Sequence, residues 1–156
     1  MLARSLCTVL VVLTLGACGG KRIAGTEISD TPDTRAIVAL IDQYRQAAER
    51  RDADAVLALV SPTYFDDAGT PDPRDDLDYE QLKNVLPAHY RQLTAIRLGI
   101  GVREIDVKGD RATANVFYDG HYRVATVSGE SAKSASDVAQ MRFVREQGVW
   151  KIAGGL

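Results

Sequence analysis

The feature that most constrains this chain is a change of hydrophobic period near Ile96. Before that residue apolar side chains recur every three or four positions; after it they recur every two. The first spacing draws a stripe along an α-helix, and the second draws one face along a β-strand. A chain of 156 residues with its helices first and its strands afterwards does not alternate strand and helix as a parallel sheet requires. It is expected to form one α+β domain, helices packed on an antiparallel sheet.

The helical half is punctuated clearly. Thr31 can cap, Pro32 suits the first helical position and Asp33 complements the helix dipole. Ile37, Leu40, Ile41, Tyr44, Ala47 and Ala48 then form one stripe that ends at Glu49-Arg50-Arg51. Asp52 can cap a short second helix, Ala53 to Val60, stopped by Ser61-Pro62. A loop from Asp66 to Asp78 carries six aspartates. A third helix follows, with Leu82, Val85, Leu86, Tyr90 and Leu93 on one face, and Pro87 predicts a kink or a break within it.

In the strand half, Ile96, Leu98, Ile100 and Val102 share one parity, whereas Ile105 and Val107 share the other. That switch predicts a bulge near Arg103-Glu104. Lys108-Gly109-Asp110 turns the chain into a long strand from Ala112 to about Val127, with Asp119-Gly120 as its expected point of interruption. Ser128 to Ser134 reads as a polar connection, Ala135 to Arg145 as a third strand, Glu146-Gln147-Gly148 as a turn and Val149 to Ala153 as a last strand. Arg97, Arg103, Arg111, Arg123, Arg142 and Arg145 are expected on outward positions, where charge protects sheets from association.

The N-terminus carries an address. Arg4 precedes an uncharged run from Leu6 to Leu15, then Gly16, Ala17 and Cys18. A basic start, a short apolar core and small residues make the layout of a secretory signal, and the run falls short of the roughly 20 residues of a membrane span. Leu15-Gly16-Ala17-Cys18 resembles a bacterial lipobox. The resemblance implies cleavage after residue 17, acylation of Cys18 and, with Gly19 rather than aspartate next, the outer membrane facing the periplasm. Loss of Cys7 and acylation of Cys18 would leave no thiol for a disulfide. Residues 18–30 are read as the lipidated cysteine and a flexible tether, and residues 31–156 as the domain.

The stretch Ile41 to Gly69, with its tyrosine-bearing helix, the Arg51-Asp52-Ala53-Asp54 step and Tyr64-Phe65-Asp66-Asp67, resembles the opening of NTF2-like domains, which include SnoaL-type cyclases and ketosteroid isomerases. Met141 to Gly154, with Trp150, is similar to that superfamily's closing hairpin. The resemblance implies a cone: a curved antiparallel sheet wrapped by about three N-terminal helices, with a pocket at its wide end. It also implies a helix-1 tyrosine at Tyr44 and an acid at Asp67 or Asp66. The second acid of the isomerases' oxyanion hole is replaced by Ala139, so their mechanism is not expected. Tyr44, Tyr64, Asp67, Tyr90 and His121 are the candidate pocket residues, and no catalytic residue is assigned.

Other chemistries have little support. Nineteen Lys and Arg against 21 Asp and Glu supply no basic field for a phosphate backbone, so nucleic acid is not an expected partner. The aspartate loop misses the ligand spacing of a calcium-binding EF-hand. His89 and His121 stand far apart and lack cysteine partners, so no metal or other cofactor is expected. The reading that follows is a membrane-anchored envelope protein whose domain binds a small apolar ligand or a partner protein without catalysis. Its alternative is a lyase or isomerase using Tyr44, Asp67 or His121 as acid and base. A homodimer through the sheet face is a further expectation.

Overall fold

The computed structural model describes residues 21–127 and 129–156. Its elements are α1 (Pro32–Glu49), α2 (Ala53–Leu59), β1 (Phe65–Asp66), β2 (Leu77–Asp78), α3 (Tyr79–Gln92), β3 (Leu93–Lys108), β4 (Arg111–Thr126), β5 (Gly129–Glu146) and β6 (Val149–Gly154). β3 to β6 form one antiparallel sheet in chain order, and β1 and β2 form a separate small hairpin. Three helices precede a curved antiparallel sheet, which is the α+β cone expected from the change of period.

Local chemistry sets the helix ends. Thr31 accepts the Thr34 N–H while the Thr34 hydroxyl accepts the Thr31 N–H, a reciprocal cap that satisfies two otherwise orphaned donors. Asp78 and Gln81 do the same for α3. Pro87 does not break α3. The helix runs through it to Gln92, with Leu82 and Tyr90 buried to either side of it on the inner face. Leu93, expected on the helix, is instead the first residue of β3.

The predicted bulge is present, as a register shift between Val102 and Glu104 opposite Val116 and Asn115. It moves Ile105 and Val107 onto the core side that Ile100 and Val102 already occupy. Two strand expectations need correction. β4 is unbroken at Asp119-Gly120, both of which pair with β3 and β5. The connection expected over 128–134 is a strand from Gly129 onward, because Gly129 to Ser134 pair residue for residue with Thr126 to His121. Each backbone group satisfied by that ladder outweighs the poor intrinsic strand preference of glycine, serine and alanine.

The core sits where α1 and α2 cover β3 and the sheet's far end. Ile37, Ile41, Val56, Val116, Met141, Phe143 and Ile152 are almost wholly buried there. Asp33, in the first turn of α1, locks that end: it accepts from Trp150 Nε1 at 3.1 Å and from Arg145 at 3.1 Å, while Arg145 stacks 4.6 Å above the Trp150 ring. Arg145 is thus a packed cross-link rather than a surface decoration. Residues 21–30 do not form the expected loose tether. Arg22 bridges Ser29, the Ile23 and Ile28 backbones bond at 2.9 Å, and Ile28 is buried. Among the described residues no helix is long and apolar enough to cross a membrane. Cys18 and the rest of the expected signal lie outside the described residues.

Candidate functional site

A cavity of about 460 Å³ opens between α1, α3 and the upper part of the sheet. Its walls are aliphatic (Val56, Leu82, Leu86, Leu93, Ile96 and Leu98 among them), with His89 and four tyrosines, Tyr44, Tyr90, Tyr118 and Tyr122. No acidic side chain is among the lining residues. Val85, 48% exposed, and the exposed His89 lie on the solvent side of α3 and mark the mouth. Cavities of this size and character hold small apolar molecules oriented by a few polar atoms.

Each tyrosine arrives by a different element. The helical stripe carries Tyr44 inward from α1, and Tyr90 enters from the last turn of α3. Tyr118 and Tyr122 come from β4, on the parity of Ala112, Ala114 and Val116. Gly120 makes room for the last of these, since a Cβ there would run into the Tyr122 phenol. Tyr118 donates to the Gly155 carbonyl at 3.3 Å. The Tyr44 hydroxyl has no hydrogen-bond partner among the described residues, and its half-buried side chain lines the cavity.

Burial pushes the Tyr44 phenol well above its ordinary range, and the surrounding Tyr118, Tyr90, Tyr122 and Tyr64 phenols act in the same direction. Burial likewise raises Tyr90 to about 12, with the Asp52 carboxylate adding to the effect. Tyr118 is raised first by burial and then by the Asp66 charge. At neutral pH these groups are hydrogen-bond donors, not bases.

Outside the lining, Asp66 anchors the C-terminal turn. Its carboxylate accepts from the Gly155 N–H at 2.8 Å and from the Tyr64 hydroxyl at 3.2 Å. Gly155 adopts a φ of +84° against the Gln140 backbone, a position with no space for a Cβ. This turn delivers the Leu156 side chain into the cavity wall. Asp66 is therefore held by the protein as a clamp.

The structure divides the five candidate residues. Tyr44 and Tyr90 line the cavity. Tyr64 is buried beneath it at the clamp. Asp67 points away: it is exposed, accepts from the Gly69 N–H and lies 4.0 Å from Arg142. His121 is also outside, its side chain 62% exposed beside Asp119. The reason is parity, because an odd-numbered residue in β4 faces outward when Val116 faces inward. Tyr118 and Tyr122 were missed although that same alternation, counted on from Ala112, selects them. His89 was passed over because a single histidine on a helix carries no spacing signal. Among the described residues, no three His, Cys, Asp or Glu side chains come together to hold a metal ion.

A SnoaL-like domain model matches residues 37–154. No curated protein matches the chain. Among solved structures, the Kfla4162 protein of Kribbella flavida superposes with a TM-score of 0.67 at 17% identity, over 79% of this chain and 87% of its own. A ketosteroid isomerase-like protein of Erwinia carotovora atroseptica gives 0.66 at 16% identity, over 81% and 95%. A candidate dehydratase of the NTF2-like family from Streptomyces avermitilis gives 0.65 at 18%, over 80% and 95%. These likenesses establish the fold.

Proposed function

The chain belongs to the SnoaL-like domain family, and from that premise we propose that it binds an uncharged, largely apolar small molecule bearing one hydrogen-bond acceptor. The observation that carries this reading is the Tyr44 hydroxyl, an unpartnered donor in a cavity walled by aliphatic and tyrosine side chains. A carbonyl or ether oxygen of the ligand would accept from that donor, and a hydrogen bond made between apolar walls, shielded from water, adds to affinity. An anion would have to shed its water among apolar walls, which disfavours acidic ligands.

The residues named for an acid–base alternative do not meet, since Asp67 and His121 lie outside the cavity and Asp66 is engaged by Tyr64 and Gly155. The dehydratase and isomerase names of structural relatives keep His89 as the group to test for turnover. Binding without turnover remains the reading we adopt.

Titration of the full chain with 1-tetralone, a neutral bicyclic ketone, followed by ligand-observed NMR, tests the proposal. Tetralone should bind, 1-naphthoate should not, and Tyr44→Phe should weaken tetralone binding about tenfold. Equal binding of the carboxylate, or an unchanged affinity in Tyr44→Phe, would overturn it.

We further propose that Cys18 is acylated and holds the domain at the envelope membrane, facing the periplasm. The support is the sequence pattern around Leu15-Gly16-Ala17-Cys18. Labelled palmitate should enter the protein, and Cys18→Ser should abolish both the label and membrane fractionation. A labelled Cys18→Ser protein would refute the assignment.

A further inference from the structure

The sheet is not fully used. β6 pairs β5 only from Arg142 to Glu146, so from Gly129 to Met141 β5 has β4 on one side and, among the described residues, no strand on the other. Gly155 crowds the last part of this edge near Gln140. Residues 131–139 therefore present a long row of outward N–H and C=O groups. Nearly all of that stretch is exposed on both faces. Natural edges of this kind are normally shortened, bent or covered, because they template pairing with another chain.

We propose that this edge pairs with the same edge of a second copy, antiparallel, about a two-fold axis at Ala135. The side chains select the register. In an antiparallel self-pair, outward-facing backbone groups must meet outward-facing ones, so residue i can oppose only a residue of the same parity. Shifting the axis to Ser134 or Ser136 leaves Lys133 and Asp137 opposite uncharged residues. Centring it on Lys133 or Asp137 sets like charges against each other. With the axis at Ala135, Lys133 opposes Asp137 of the second copy, and the symmetry supplies that pair twice.

Three further observations agree with this register. Lys133 has no ion-pair or hydrogen-bond partner among the described residues, and the Asp137 carboxylate accepts only its neighbour's amide, Val138 N–H, at 2.7 Å. On the opposite face Val138, 54% exposed beside Phe117, would be met by Ala132. At the centre Ser134 opposes Ser136 and Ala135 opposes itself, so no bulky group keeps the backbones apart. Nine paired residues provide about eight to ten interchain backbone hydrogen bonds. Because Lys133 and Asp137 pair across from Tyr122 and Tyr118 respectively, the interchain ion pairs would lie on the cavity side of the sheet.

A cysteine cross-link reads the register directly. In the full chain with Cys7→Ser and Cys18→Ser, Ala135→Cys should form a disulfide-linked dimer under mild oxidation, and Val138→Cys, whose counterpart is Ala132, should not. Lys133→Asp or Asp137→Lys, each added to Ala135→Cys, should lower cross-linking about tenfold, and both together should restore it. Circular dichroism controls for folding, which these exposed positions should leave intact. Failure of Ala135→Cys to cross-link, equal cross-linking through Val138→Cys, or indifference to the charge exchange would each overturn the proposal.

Discussion

β4 and β5 are the same two strands along their whole length, yet they are protein core at one end and surface at the other. Where they meet α1, α2 and β6, Ala112, Ala114, Val116, Met141 and Phe143 are buried. Further along the ladder, Tyr118 and Tyr122 border an open cavity, and Gly129 to Val138 are exposed except for the half-buried Ser131. The hydrogen-bond ladder is continuous across both. Strand pairing therefore does not make a core; the layer that covers the strands does.

The largest test of that contrast is to remove packing at the closed end. Phe143→Ala should cost about 3–5 kcal/mol in denaturant unfolding, from lost burial and the cavity left behind. A small loss would mean that the closed end packs as loosely as the open one. Next comes the lock on α1: Asp33→Ala strips hydrogen bonds from Trp150 and Arg145 and should cost about 1–3 kcal/mol.

Alkaline pH probes the open end through its phenols. Tyr44, Tyr64, Tyr90 and Tyr118 are all raised in the folded state, so the folded chain keeps protons that the unfolded chain releases. Their contribution is complete below pH 10, the ordinary tyrosine value, and is lost as pH rises through and beyond the value of about 12 for Tyr90. Phenolate absorbance of these residues should appear together with unfolding, not before it. Tyr44→Phe should leave stability nearly unchanged while weakening ligand binding, since no protein group depends on that hydroxyl. The smallest effect is expected at Val138→Ala on the open strand, within about 0.5 kcal/mol in the same denaturant assay.

Much of this was legible in the residues themselves. Thr31 and Asp78 announce their helices through capping chemistry, the parity switch at Arg103-Glu104 marks its bulge, and Tyr44 lies on a helical stripe that has to face inward. Each signal is local, so neighbouring residues suffice to state it. Pro87 misled because a proline's missing N–H is decisive only where nothing else holds the helix, and here the flanking Leu82 and Tyr90 are anchored in the domain.

What the chain determined alone is the order and the inward face of its elements, together with the α+β class that follows from them. The tertiary structure decided which inward faces become core and which become cavity, that Asp66 rather than Asp67 holds the C-terminal turn, and that a serine-rich segment is a strand whose second edge has no partner strand among the described residues. Those outcomes depend on partners far along the chain: Asp66 is placed by Gly155, and Gly129 to Ser134 are held by β4. Periodicity specifies the direction of a side chain, but burial and backbone pairing are set by whatever comes to lie opposite it.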